Sequence, residues 1–212
     1  MQNKQELWVK ERNQIKEELQ SELDWIQSKD FSDWRDSLFI TLTNRISLKY
    51  EHEKGIGFKR VTLDDAHQNL RHWYNLLNRK VFGKDYKNKK KRLRCLPVTE
   101  RTRDKDFKIR IHHHLILEKP ENWDTNSFWT QVCLCWEKTR LGLVSIKSYD
   151  KKRNHVSYSP CVHMQEIYDM QNLKGYVLKS RTKLSVDDID IQNAVFELRH
   201  TIQCQLLNHR SS

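Results

Sequence analysis

Glycine and proline are scarce in this chain, five and three in 212 residues, and neither G-x-x-x-x-G-K-[ST] nor G-x-G-x-x-G occurs. No nucleotide-binding glycine loop is expected. The five cysteines, Cys95, Cys133, Cys135, Cys161 and Cys204, are odd in number and contain no C-x-x-C, which argues against a disulfide framework or a zinc knuckle. A reducing cytoplasm is the compartment they suggest. No run approaches the about 18 apolar residues of a membrane span, and residues 1–10 are polar without the core of an export signal. The expectation is a soluble chain with no membrane partner. Anionic residues are the minority: Lys plus Arg number 39 against 28 Asp plus Glu, for a net charge of +11 and a pI near 9.4. Such an excess favours a polyanion, with nucleic acid first. Mean hydropathy is only −0.88, yet aromatics reach 10% with seven Trp, enough to build a core.

The length suits one domain of ordinary size with appendages. Residues 5–29 carry Ile15, Leu19, Leu23 and Ile26 at helical spacing, so 1–32 is read as an N-terminal amphipathic helix. Ser37-Leu38-Phe39-Ile40-Thr41-Leu42-Thr43 is β-branched and apolar on both faces, as a central strand requires. After a loop containing Gly55 and Gly57, Thr62 caps a helix over 63–79 with Ala66, Leu70, Trp73, Leu76 and Leu77 on one stripe. Runs 93–99 and 107–117 pair as a hairpin, and 124–138 is a helix with Phe128, Val132 and Trp136 facing inward. Trp73 and Trp136 are read as core. Strands over 143–149 and 161–167 flank a polar loop at 150–160, and a last helix covers 172–183. Asp187, Asp188 and Asp190 open a C-terminal acidic segment and short helix, 187–212. The order predicts an α+β domain over 33–186, with a central antiparallel sheet of about five strands and flanking helices.

Two groups of residues carry chemistry. In His112-His113-His114, strand residues at i and i+2 share a face, so His112 with His114 can hold one metal ion. A register using His113 stays open, although its same-face neighbours would be Ile111 and Leu115. Tyr176 and Lys179 stand one helical turn apart, where a cation assists a phenol in nucleophilic attack. The spacing Y-x-x-K occurs three times, at Tyr86, Tyr149 and Tyr176, and only the last falls in a predicted helix with apolar neighbours.

Taken in order, Phe39-Ile40-Thr41-Leu42-Thr43, then Arg110 to Glu118 around the histidines, then Tyr176-x-x-Lys179, the chain resembles the HUH endonucleases. The likeness is to the rolling-circle replication initiators of small phage and plasmid replicons, and it covers about residues 38–196. Leu77-Asn78-Arg79-Lys80-Val81-Phe82-Gly83 and Leu96-Pro97-Val98-x-Glu100 add to it. The resemblance implies a sheet fold of the RNA-recognition type and a Mg²⁺ or Mn²⁺ ion held by His112, His114 and a third ligand. Glu100 is the first choice for that ligand, with His163, Gln165 and Glu166 as substitutes. It further implies Tyr176 as the nucleophile that nicks and rejoins single-stranded DNA through a 5′-phosphotyrosine, with Lys179 as its helper. Tyr168 lacks a lysine at i+3 and is the alternative nucleophile. Thr41 and Thr43 are expected beneath the site.

The partner so implied is single-stranded DNA or an extruded hairpin at a replication origin, in the cytoplasm of a prokaryotic host. With no Walker motif, duplex unwinding falls to a separate helicase. The basic run Lys84, Lys87, Lys89, Lys90, Lys91, Arg92 and Arg94, opposed by Asp85 alone, is the expected phosphate-contacting segment. Two rival readings stand beside this one: a single-tyrosine transposase or relaxase, and a non-catalytic module that binds single-stranded nucleic acid.

Overall fold

The computed structural model describes residues 28–52, 55–103, 109–150, 155–167, 188–189 and 194–195, with Lys10, Asn13, Glu17, Gln20, Ser21, Asp24 and Trp25. Those seven are all helical. The stripe Ile15, Leu19, Leu23 and Ile26 lies outside the described residues, as do the helix expected at 172–183 and the short C-terminal helix. The chain divides into two compact units, 1–34 with 169–185, and 35–168 with 186–212. In the first, Phe31 and Trp34 are buried with ring centroids 4.9 Å apart.

The second unit is α+β. Its strands are β1 (Ser37–Asn44), β2 (Ser47–His52), β3 (Gly55–Arg60), β4 (Cys95–Arg103), β5 (Ile109–Glu118), β6 (Gly142–Leu143), β7 (Ser145–Asp150), β8 (His155–Pro160), β9 (Val162–Glu166) and β10 (Asp188–Ile189). The helices are α1 (Leu63–Phe82), α2 (Lys84–Asn88) and α3 (Thr125–Glu137). The main sheet is antiparallel and runs β10-β4-β5-β1-β6, with β9 sharing the far edge of β1 with β6. As expected, β1 is central.

Alternation along β1 sends Leu38, Ile40 and Leu42 into the core and Phe39, Thr41 and Thr43 to the other face. On the core side, Leu115 and Leu117 of β5 and Val162 of β9 meet Leu70, Trp73 and Leu77 of α1 and Phe128, Val132 and Trp136 of α3. Both tryptophans have no exposed surface and meet edge to face at 6.3 Å. Burying a side chain of this size contributes roughly 2–3 kcal/mol, so the two helices are held to the sheet mainly by this layer.

Helix α1 begins in a capping box, in which Thr62 Oγ1 accepts from Asp65 N and Asp65 Oδ2 accepts from Thr62 N. It ends at Gly83, whose φ of +53° suits glycine better than any residue with a side chain. Two buried polar groups of α1 then fix the start of β4: Asn78 Oδ1 accepts from Leu93 N at 2.7 Å, and the Tyr74 hydroxyl donates to Leu93 O.

Three expected loops or tails are strands. The segment with Gly55 and Gly57 is the hairpin β2–β3, and the polar stretch 150–160 contains β8, paired with β7. Asp188–Ile189, expected in an acidic tail, pairs with Thr99 and Val98 as the edge strand of the main sheet. Each is a short ribbon or edge without an apolar face of its own, so hydrophobic alternation does not mark it. Among the described residues, no helix is long and apolar enough to cross a membrane.

Candidate metal and DNA site

Cross-strand register assembles the site. On β5, His112 lies opposite Thr43 of β1 and Glu100 of β4, and His114 lies opposite Thr41 and Val98. Directly opposed residues share a face, so His112, His114, Thr41, Thr43 and Glu100 all stand on the face away from α1 and α3. The open register is decided: His113 points the other way and is fully buried.

Each outward imidazole is held at Nδ1 by a threonine of β1. The distances are 3.0 Å from His114 Nδ1 to Thr41 Oγ1 and 3.0 Å from His112 Nδ1 to Thr43 Oγ1. This leaves Nε2 of each ring as the outward donor. A hydroxyl can donate or accept, so the threonines orient the rings in either tautomer. The ring of Phe39 stacks on His114 with centroids 5.6 Å apart. His114 Nε2 lies 2.8 Å from Glu100 Oε2, and this hydrogen bond is the main cause that lowers the Glu100 pKa from its ordinary value. Burial first, then the neighbouring His114, lowers the pKa of His112 and keeps its ring neutral, the form that binds metals.

The donor chemistry fits a divalent ion. Two cis ligands about 2.1 Å from an octahedral ion stand about 3 Å apart, close to the His114–Glu100 separation. Among the described residues, however, no three His, Cys, Asp or Glu side chains converge to enclose an ion. His114 and Glu100 are here satisfied by each other. Of the substitutes, His163 and Gln165 of β9 pair with Thr41 and Phe39 and share the histidine face, and the exposed His163 Nε2 lies 3.1 Å from Pro160 O. Glu166 pairs with the inward Leu38, which places it on the opposite side of the sheet from His112 and His114.

Beneath the site lies a buried polar network that sequence reasoning missed. Asn44 Nδ2 donates to Ile111 O at 3.2 Å and lies 2.9 Å from His113 Nε2, and His113 Nδ1 lies 2.9 Å from Thr99 Oγ1. His113 therefore ties β5 to β1 on one side and to β4 on the other, one residue from each outward histidine. Burial depresses its pKa to about 3, with His67 of α1 adding to the effect. Only a polar residue between two histidines hinted at this role.

The basic run divides. Arg94 is buried, and its guanidinium forms a two-pronged ion pair with Glu118, Nε to Oε2 at 2.6 Å and a second contact to Oε1. Arg92 lies over the Tyr86 ring at 3.8 Å and donates to Tyr86 O and Lys91 O. Arg94 is structural rather than a phosphate contact, because its guanidinium is buried against Glu118, whereas Arg92 is only partly buried. Lys89 and Lys91 pair with Asp85 at 3.3 and 3.1 Å, while Lys84, Lys87 and Lys90 are exposed. The run also enters β4 at Cys95, five residues and about 17 Å along the strand from Glu100. Tyr176, Lys179 and Tyr168 lie outside the described residues.

Comparison of this chain with protein-family models, with curated proteins and with solved structures found no match in any of the three.

Proposed function

We propose that this chain is a replication-initiator endonuclease that nicks and rejoins single-stranded DNA through a tyrosine. What supports the reading above all is the pair His112 and His114, side by side on one sheet face, each braced at Nδ1 by a threonine, with Glu100 against His114. Bare surface histidines have no need of such bracing, whereas metal ligands almost always receive it.

In this reading His112, His114 and Glu100 hold Mg²⁺ or Mn²⁺, which when bound draws charge from the scissile phosphate. The Tyr176 oxygen attacks phosphorus, the bond from phosphorus to O3′ breaks, and the phenolic proton passes to solvent while the leaving 3′ oxygen takes one up. Lys179 steadies the phenolate. The products are a 5′-phosphotyrosine and a free 3′-OH, and reversal rejoins the strand. The substrate is single-stranded DNA or an extruded origin hairpin in the cytoplasm of a prokaryotic cell, with a separate helicase to open the duplex.

The deciding experiment is incubation with Mn²⁺ and random single-stranded DNA, followed by denaturing electrophoresis. A labelled adduct of the protein, absent after chelation, is the expected result. Tight DNA binding with neither adduct nor cleavage would instead leave the non-catalytic binding module.

A further inference from the structure

The nicking step proposed above leaves one proton without a donor, the one that the departing 3′ oxygen takes up. A sugar alkoxide is far more basic than a phenolate, so the 3′ side of the reaction gains most from an acid. His112 and His114 do not supply it, because an imidazole that holds a metal ion has no proton on its ligating nitrogen. In an in-line displacement Lys179 serves the phenolate, on the opposite side of phosphorus from the leaving oxygen. A donor has to stand on the histidine face without being bound to the ion.

His163 meets that description. Strands β9 and β5 flank β1, and the register sets His163 and His114 on either side of Thr41. Directly opposed residues share a face, so His163 stands on the surface of the metal histidines, two strands across from them. Strand spacing puts β9 about 10 Å from β5, and His163 is still close enough to His112 to affect its charge. Ligand atoms of one octahedral ion stand about 3 Å apart, so the separation suits a phosphate lying between the ion and His163 better than a shared ion. The side chain is exposed, and a substrate can reach it.

The ring is also oriented. Its Nε2 lies 3.1 Å from Pro160 O. A carbonyl only accepts, so this nitrogen carries the hydrogen and Nδ1 is left for an incoming group. In the charged ring both nitrogens are donors: the bond to Pro160 occupies one and leaves the Nδ1 proton to give. An imidazole held by a backbone carbonyl in this way is a common arrangement of general acids and bases.

We propose that His163 is the general acid of nicking and the general base of rejoining, an assignment that rests on the endonuclease reading. As the Tyr176 oxygen bonds to phosphorus and the bond from phosphorus to O3′ breaks, the electron pair goes to O3′. The Nδ1 proton of charged His163 follows it, which leaves a 3′-OH and a neutral ring. In the reverse step the neutral ring takes that proton back as O3′ attacks the phosphotyrosine. His163 thus returns to its starting form after each nick and rejoining.

Two oligonucleotides of one sequence test this in the full chain, with the scissile position mapped from the wild-type adduct. One carries the natural 3′ oxygen at that position and the other a sulfur. Sulfur departs as a thiolate, which needs no proton. At saturating Mn²⁺, His163→Ala should slow adduct formation on the oxygen substrate by roughly 100-fold or more. On the sulfur substrate its rate should stay within about twofold of wild type, because a thiol is a far stronger acid than a sugar hydroxyl. His163→Gln, which keeps a donor for Pro160 but has no proton to transfer, should behave likewise, and the Mn²⁺ midpoint should not move. Equal slowing on both substrates overturns the assignment, as does a wild-type rate on oxygen or a shifted Mn²⁺ midpoint, which would make His163 a ligand. Those results leave the nuclease standing. A wild-type chain that forms no adduct on any strand removes the nuclease and the proton donor together.

Discussion

Glu100 and His114 meet at 2.8 Å although the register sets them on a diagonal, Glu100 opposite His112 and His114 opposite Val98. A diagonal step of the antiparallel ladder is within reach of a long side chain. Glu100 thereby stands next to both histidines with one backbone position, and its charge is felt by each. That carboxylate is the acceptor that holds His114 in place, and in the proposed function it is the third ligand.

Thr41→Val and Thr43→Val remove the hydroxyls that hold Nδ1 while keeping the β-branched shape. We expect each to reduce apparent Mn²⁺ affinity, read from the metal dependence of adduct formation, by about 10- to 100-fold. Circular dichroism should stay as in wild type. An unaltered metal titration in the double variant would remove the threonines from the site.

Tyr176→Phe should abolish the covalent adduct and leave DNA affinity within about twofold, because in the proposed function one hydroxyl carries the chemistry and little of the binding. Lys179→Gln should slow adduct formation without preventing it. If Tyr168→Phe, and not Tyr176→Phe, eliminates the adduct, the nucleophile has been misassigned.

Protonation of His113 opposes folding. Its folded pKa is about 3 against an ordinary value of 6.5, so below pH 6.5 the unfolded chain takes up a proton that the native ring refuses. The contribution is complete above pH 6.5, falls as the pH drops, and levels off near pH 3. At pH 5 the loss is about 2 kcal/mol, at about 1.4 kcal/mol per pH unit. Urea melts at pH 7 and pH 5 measure it, and His113→Asn should remove that part of the difference. Equal pH dependence in wild type and variant would show that other groups cause it.

Arg94→Met should destabilise the domain by about 3 kcal/mol, since it removes the cation from the Glu118 carboxylate, whose side chain is only 12% exposed, and leaves the Arg35 N–H on it. DNA affinity per folded molecule should not change. A weakened salt slope with unaltered stability would return Arg94 to the phosphate-contacting role first expected of it.

Several features were legible in the residues alone because they depend on local periodicity. The strand rule separated His112 and His114 from His113, the helical stripe marked Trp73 and Trp136 as core, and Thr62 announced the start of α1. Each follows from side chains two, three or four positions apart, distances set by backbone geometry before any folding occurs. What only the tertiary structure decided involves partners remote in sequence. Arg94 resembled its exposed neighbours until β5 brought Glu118 against it, and Asp188 and Ile189 had no strand signal until the edge of β4 offered them hydrogen bonds. The β2–β3 ribbon escaped notice because both its faces are largely wet, so no alternation of apolar residues records it. Arg45, Arg110 and Arg140 are unremarkable apart. Antiparallel pairing gathers them along one groove, because a fold brings together in space what lies far apart along the chain.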